Sequence, residues 1–533
     1  MSVLSVSLIG LLAALALSSA LNAAGGRLSR IAVGLVPWLM GAIGLTSVAG
    51  LATDSPNWHI LALASDGHAH ALSLGLRLDL LGLGMTAFIA GIGLVVYCYA
   101  TRYLLGDQRR EGFLAALGVV VVVAMLQALS PGILQFALGW IAASFGLQRL
   151  IGHADTRPAA RAVRAKFLTS RLGDAGMVVA IIALLVGPGT TDFTELATAV
   201  SGGDHHFSLL IAGCAMVWTI LCKTALVPAQ YWLISTVEAP TPLSALMHAG
   251  VVNAGGLLAI LLSPVFAAAP QALDLLLAVG LVSAVVGPLV MWAQTDLKRS
   301  LAWSTVGQMG FMAVQCGLGA FGAAFLHLLG HGCYKADAFL RSGTLGRAAE
   351  PRPDPAPLAS SVGRWLLGIG LAAATLMITY QLCATDPRSM PGGWALLAIQ
   401  AIAMGQLLGT PTAAGISLPI RLGFLVAGTA FYGALTVGVE HLLTSSITHI
   451  PTDRGPIGLG LMILAPLALA GLGLFWVVLP AIARHPSVIA WRIHAGQGFY
   501  LSQLTERLIG FGRRQQQRQQ QQHVTIIAKE MSS

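Results

Sequence analysis

Charge is what this sequence has least of. Asp, Glu, Lys and Arg make up 10% of its 533 residues, where soluble domains run at about 25%, and the mean hydropathy is +0.77. A water-soluble globule of this length is excluded. Cysteine is also scarce: the six present (Cys98, Cys214, Cys222, Cys316, Cys333, Cys383) form no CxxC pair and fall mostly in apolar runs. Neither an iron–sulfur cluster nor a c-type haem site is therefore written here. Dinucleotide and phosphate-loop fingerprints are missing as well, so the chain is expected to need no cofactor, and neither carries electrons nor hydrolyses ATP itself. Segments of about ten residues with alternating polarity, the mark of a membrane β-barrel, are lacking.

What is present is long apolar runs. A helical span takes about 20 mostly apolar residues, and fifteen such runs occur, near 3–23, 31–52, 78–101, 113–129, 131–148, 172–188, 207–227, 242–262, 272–294, 301–318, 320–343, 365–383, 393–410, 422–439 and 456–482. The 62 glycines suit helices that pack closely in lipid. The predicted fold class is all-α, a polytopic membrane helical bundle of about 15 transmembrane helices. No positive charge precedes the first run, so it reads as a permanent span and not a signal peptide.

The net charge of +9 reports orientation, not nucleic-acid binding. With the N-terminus placed outside, 25 of the 30 Lys and Arg fall in inner loops and the C-terminal tail, and Arg77, Arg388 and Arg454 fall outside. Lys223 and Lys335 are left within spans. This asymmetry predicts a multi-pass protein of the bacterial inner membrane with its C-terminus in the cytoplasm. The chain divides into N-terminal helices (1–110), a core (111–410), C-terminal helices (411–483) and a cytoplasmic segment (484–533). In that last segment Leu501, Leu504, Leu508 and Phe511 recur at helical spacing, predicting an amphipathic helix. A Gln/Arg-rich stretch (512–523) follows and reads as a solvated tail or a handle for a partner.

An ionisable residue inside a span is expensive, about 2.5–3.5 kcal/mol for lysine on insertion scales. Lys223 lies five residues before Pro228, which predicts a helix break beside the charge. A lysine late in its span can instead reach for the interface. His327, His331 and Lys335 recur at i, i+4, i+8 and so share one helix face, a spacing that suits a proton relay, structural hydrogen bonding or, less well, a metal. No third ligand is nearby and the lysine would repel a cation, so no metal site is expected. His248 is a further buried titratable group, functional or merely hydrogen-bonded. Asp174 and Arg171 stand near the sixth span as candidate counter-ions. Glu238 precedes two prolines, Asp337 falls off the histidine face, and His68 and His70 read as solvated.

These residues stand in blocks that resemble the signature segments of proton-translocating antiporter-like subunits, the superfamily of complex I membrane-arm and Mrp antiporter subunits. The blocks are WTILCKTALVPAQYWLISTVEAPTPLSALMHAGVVNAGG (218–256), TDLKRSLAWSTVGQMGFM (295–312), HLLGHGCYKADAFLRSG (327–343), LRLDLLGLGM (76–85) and LTSRLGDAGM (168–177). The resemblance implies a bundle with two inverted repeats and broken helices. It marks Lys223 as the broken-helix lysine, His248 as the next centre and His327, His331 and Lys335 as the connecting relay, with Asp174 and Arg171 as the tuning pair.

Two departures stand out. Ile141 occupies the place of the glutamate that in complex I relatives pairs with the lysine, leaving Asp174 or Glu238 as the available acid. The twelfth span (367–386) also lacks the lysine of the distal complex I subunit. The ending WRIHAGQGFYLSQLTERLIGF (491–511) is similar to that of the membrane subunit of DAB-type inorganic carbon accumulation complexes. That resemblance implies a cation-conducting subunit, moving protons or sodium, with a large soluble zinc-binding carbonic-anhydrase-like partner that carries any hydration chemistry. A complex I-like or Mrp-type antiporter subunit is the alternative, and a structural anchor with a decayed relay a third.

Overall fold

The computed structural model describes residues 3–505 except 54–56, 66–67, 202–204, 344–357, 388–389, 391, 410–416, 445, 449, 451–453, 502 and 504. The Gln/Arg-rich stretch and Leu504, Leu508 and Phe511 of the expected amphipathic helix lie outside the described residues. The chain opens with α1 (Val3–Leu21) and α2 (Gly26–Gly50), then a two-stranded antiparallel ribbon, β1 (Trp58–Ser65) and β2 (His68–Leu76). Next come α3 (Leu80–Tyr103), α4 (Arg110–Ala128), α5 (Ile133–Ile151), α6 (Arg157–Val186), α7 (Phe193–Ser201) and α8 (His206–Lys223). The middle holds α9 (Tyr231–Ser235), α10 (Thr241–Ala249), α11 (Ala254–Leu261), α12 (Ser263–Ala268), α13 (Pro270–Ala293), α14 (Leu297–Gly317) and α15 (Phe321–Leu340). The last are α16 (Leu358–Leu382), α17 (Gly393–Gly409), α18 (Leu418–Leu443), α19 (Gly455–Ile482) and α20 (Pro486–Gly496).

Eleven helical segments among the described residues are long and apolar enough to cross a membrane, with α10 and α11 counted as one. The shorter α17 and the polar-bearing α5, α14 and α15, of 19, 21 and 20 residues, complete the fifteen passages predicted. At about 1.5 Å per residue each of those three reaches about 30 Å, the thickness of a hydrocarbon core. The ribbon is the one departure from an all-helical chain among the described residues. Its second strand docks on the start of α5, where Gly75 N–H donates to Gln135 Oε1 at 2.8 Å, and His68 and His70 stand on that strand.

Helix ends sort onto two faces. Pro158, Arg161, Glu238, Gln294, Arg299 and Gln497 line one cavity of about 330 Å³, so the start of α6, the end of α13, the start of α14 and the segment after α20 meet at a basic face. α20 is pinned there by Trp491, stacked on Trp292 at 5.9 Å, and by Arg492 over the same indole at 5.2 Å. At the opposite face Asp274, near the start of α13, pairs with Arg454 at the head of α19, and Arg454 also donates to the Gly317 carbonyl ending α14. Arg454, expected in an outer loop, is therefore a buried strut.

The loop expected before residue 172 is helical. Thr156 caps α6 by accepting from Ala159 N–H, and Pro158 sits in the first turn, a favoured helix start. The 30 residues of α6 run about 45 Å, so its arginine-rich first turns extend past an apolar layer while Lys166 is carried into the bundle.

Candidate functional site

Lys223 is the last residue of α8 and 1% exposed. The negative end of the helix dipole favours a cation there. The chain then leaves helical geometry over 224–230, the stretch containing Pro228, with Ala225 at φ +60°, before α9 begins. Backbone groups freed by the break find local partners. Trp232 Nε1 donates to the Cys222 carbonyl at 3.0 Å, and Val227 N–H donates to Ser283 Oγ at 3.0 Å.

Across from this end, Asp174 of α6 pairs with Lys223, and its second oxygen binds Arg171 at 2.6 Å. The Lys223 ammonium also lies 4.8 Å from the Trp140 ring centroid. Of the two acids left by Ile141, Asp174 takes the pair. Glu238 lies in the turn Thr236–Glu238 and faces the cavity at the basic face instead. Because Asp174 holds two cations, a proton can leave Lys223 without stranding a bare carboxylate. A buried pair in such surroundings stands only with added polar contacts, which Arg171 supplies.

Lys166 was missed by the sequence reading, which counted it among loop cations. It is 1% exposed, with its Nζ 3.5 Å from the Trp232 ring centroid, a cation–π contact. Trp232 thus touches both Lys166 and the broken end of α8. The Thr156–Pro158 start, followed by small buried Ala159, Ala162 and Ala165, was the signal available.

The second group runs along α15. Lys335 is 0% exposed and donates to the Leu301 carbonyl of α14 at 3.0 Å. The rings of His327 and His331 are 6.0 Å apart, nearly perpendicular. His327 is held at both nitrogens, Nδ1 2.7 Å from the Gln315 amide and Nε2 2.9 Å from the Gln308 amide. An amide can present either oxygen or NH2, so the pair accommodates either tautomer of the ring or its cation. Among the described residues His331 Nε2 is buried without a hydrogen-bond partner, while the ring lies against the His248 backbone.

His248, 2% exposed, joins this group. Its Nδ1 lies 2.9 Å from Thr305 Oγ1 of α14 and its ring stacks on Phe339 of α15 at 4.4 Å. The helix breaks just after it, over Val251–Asn253, so the eighth passage is interrupted beside a titratable group as the seventh is. Asp337 faces outward and pairs with Arg341 at 2.7 Å. Gln308 and Gln315, seven residues apart on α14, also escaped the sequence reading; their signal was two amides on one face of an apolar helix. Among the described residues no direct hydrogen bond or ion pair joins the Lys223 cluster to the His248–Lys335 group.

Residues 130–354 match the family model described as NADH:quinone oxidoreductase/Mrp antiporter, TM, and residues 66–114 that of the complex I chain 5 N-terminus. The chain is 33% identical over 452 residues to the probable inorganic carbon transporter subunit DabB2 of Halothiobacillus neapolitanus, covering 82% of this chain and 80% of that protein. It is 32% identical over 450 residues to the probable inorganic carbon transporter subunit DabB of Hydrogenovibrio crunogenus, covering 81% and 82%. A chain of the Mrp complex from Dietzia sp. DQ12-45-1b superposes with a TM-score of 0.55 at 21% identity, over 98% of this chain and 60% of that longer one. At that identity the likeness establishes the fold.

Proposed function

Because the chain belongs to the NADH:quinone oxidoreductase/Mrp antiporter family of membrane subunits, we propose that it is the proton-conducting, energy-coupling membrane subunit of an inorganic carbon accumulation complex. The observation that carries this reading is the buried Lys223–Asp174 pair at the break of α8. A titratable lysine beside an opened helix is how membrane transporters commonly build an ion site. Lys223, His248, Lys335, His331 and His327 form the pathway, with Asp174 and Arg171 as counter-ions, and the pathway lies in the core 111–410. Protons suit lysine and histidine better than sodium does, since neither side chain ligates a hard cation.

The topology proposed is that of the inner membrane, N-terminus outside, with the basic face in the cytoplasm. A large soluble zinc-binding carbonic-anhydrase-like subunit docks on that face and carries the hydration chemistry, so this chain is not itself the enzyme. The match to relatives named inorganic carbon transporter subunits over four-fifths of both chains supports this choice. The competing reading, a complex I-like or Mrp-type antiporter subunit, is favoured by the family model itself. Purification from native membranes separates them. A large zinc-containing soluble partner and support of growth at low CO2 are expected; quinone-reducing subunits, or several small membrane subunits, would contradict the proposal.

A further inference from the structure

Glu440 belongs to no pathway so far described. It is half-buried on α18, and among the described residues it forms no ion pair. An acid in a membrane helix without a cation is a functional candidate by default. Its Oε2 accepts a hydrogen bond from Gly322 N–H, in the first turn of α15, at 2.9 Å. Gly322 has no side chain for a physical reason: a Cβ there would stand 2.2 Å from Glu440 Oε2 and 3.0 Å from its Cα. α18 and α15 are thus fitted together at this carboxylate.

The position continues the histidine stripe. Along α15, Lys335, His331 and His327 step toward the helix start, and Gly322 lies five residues beyond His327, about 7–8 Å along the axis. Side chains span the first part of the interval. His327 Nδ1 meets Gln315, and Gln315 lies beside the Tyr432 phenol of α18. Tyr432, Thr436 and Glu440 follow at i, i+4, i+8 on one face of that helix, the same spacing as on α15. Thr436 is fully buried, and its hydroxyl donates to the Tyr432 carbonyl at 2.8 Å. Gln400 of α17 stands beside the same phenol with both amide atoms buried and lacking a well-formed hydrogen bond, a setting that suits ordered water. The buried Tyr380 of α16 also faces the carboxylate. The twelfth passage, α16, runs unbroken over 25 residues and carries no lysine.

We infer that Glu440 is the terminal acid of the relay, receiving protons from His327 by way of Tyr432, Thr436 and water held by Gln315 and Gln400, and releasing them at the face opposite the basic helix ends. In each cycle the His327 imidazolium gives up one proton and becomes neutral, the carboxylate becomes a carboxylic acid, and that acid loses the proton to bulk water. The amides orient and the hydroxyls transmit. This route rests on the proton-conduction reading above and gives the pathway an end that the missing twelfth-span lysine does not supply. The simple alternative is that Glu440 only caps α15.

Glutamine separates the two roles, because Glu440→Gln still accepts from Gly322 N–H while lacking an acid. In vesicles containing the whole complex, Glu440→Gln is expected to lower proton flux about a hundredfold, the scale of a lost positioned proton acceptor. Glu440→Asp, which keeps the acid, is expected to retain clearly more flux than Glu440→Gln. Parental flux in Glu440→Gln overturns the inference, and so does equal loss in the glutamine and aspartate variants, since shape and not acidity would then matter. Absence of flux in the parent complex would instead contradict the conduction reading and leave the capping geometry unchanged.

Discussion

Lys223 of α8 and Asp174 of α6 form a buried ion pair, and Arg171, one turn before Asp174, completes it at 2.6 Å. Removing one partner of such a pair typically destabilises by about 3–5 kcal/mol, whereas replacing both by apolar groups is often neutral. Asp174→Asn is therefore expected to lower the thermal midpoint of the assembled complex and to abolish flux. The double variant Asp174→Leu/Lys223→Met should regain the midpoint without regaining flux. Recovery of both would assign the pair a structural role alone.

Gly173 is what allows the lysine to reach its partner. A Cβ at that position would meet Lys223 Cγ at 2.9 Å and Cys222 Cβ at 3.2 Å. Alanine replacing glycine in an open helix stabilises by about 1 kcal/mol, but overpacking here reverses the sign, with a cost of about 1–3 kcal/mol. Gly173→Ala should lower both the thermal midpoint and the flux. A raised midpoint with normal flux would show that α6 and α8 have room to separate.

His327 is suspended between two amides, so each makes a separate prediction. Gln308→Leu and Gln315→Leu leave one ring nitrogen without a partner, which costs about 1–3 kcal/mol in a buried site. Both are expected to reduce flux at unchanged subunit composition. Parental rates in both would remove His327 from the pathway.

Outside the membrane-spanning segments, Asp107 in the turn between α3 and α4 provides a pH-dependent contact. His153 lies 2.9 Å from its carboxylate, and that hydrogen bond, followed by one from Arg109 N–H at 2.7 Å, holds the carboxyl below the ordinary carboxylate range. A carboxylate depressed in the folded state contributes its full stabilisation above the unfolded value and loses it as pH falls through the folded one. With Asp107 34% exposed, solvent screening keeps the effect small. Amide-exchange protection of residues 104–110 should hold from neutrality to about pH 4 and drop below it. Asp107→Asn should remove that drop.

Much of this architecture was legible because lipid is an unforgiving solvent. Fifteen apolar runs and the few charges inside them stood out against a background of 10% charge, and Lys223, His248, His327, His331 and Lys335 all proved buried or half-buried on the helices expected. What escaped was polar chemistry disguised by composition. Lys166 sat in an arginine-rich stretch that reads as loop until the Thr156 cap is recognised. Gln308, Gln315 and Gln400 carry no charge and so gave no warning. Glu440 stood near a span end, where an acid is unremarkable until Gly322 and Tyr380 are seen beside it. The choice of Asp174 over Glu238 as the partner of Lys223 depended on which helix packs on α8, a tertiary fact.

The most direct measurement is potential-driven proton uptake by vesicles containing the purified complex, with parent and Lys223→Gln compared at equal, verified assembly. Glutamine, one atom shorter, still offers Asp174 an N–H donor but cannot carry the proton. The prediction is uptake by the parent that collapses on adding an uncoupler, and a loss of about a hundredfold in the variant. Equal uptake by the two would contradict conduction through Lys223.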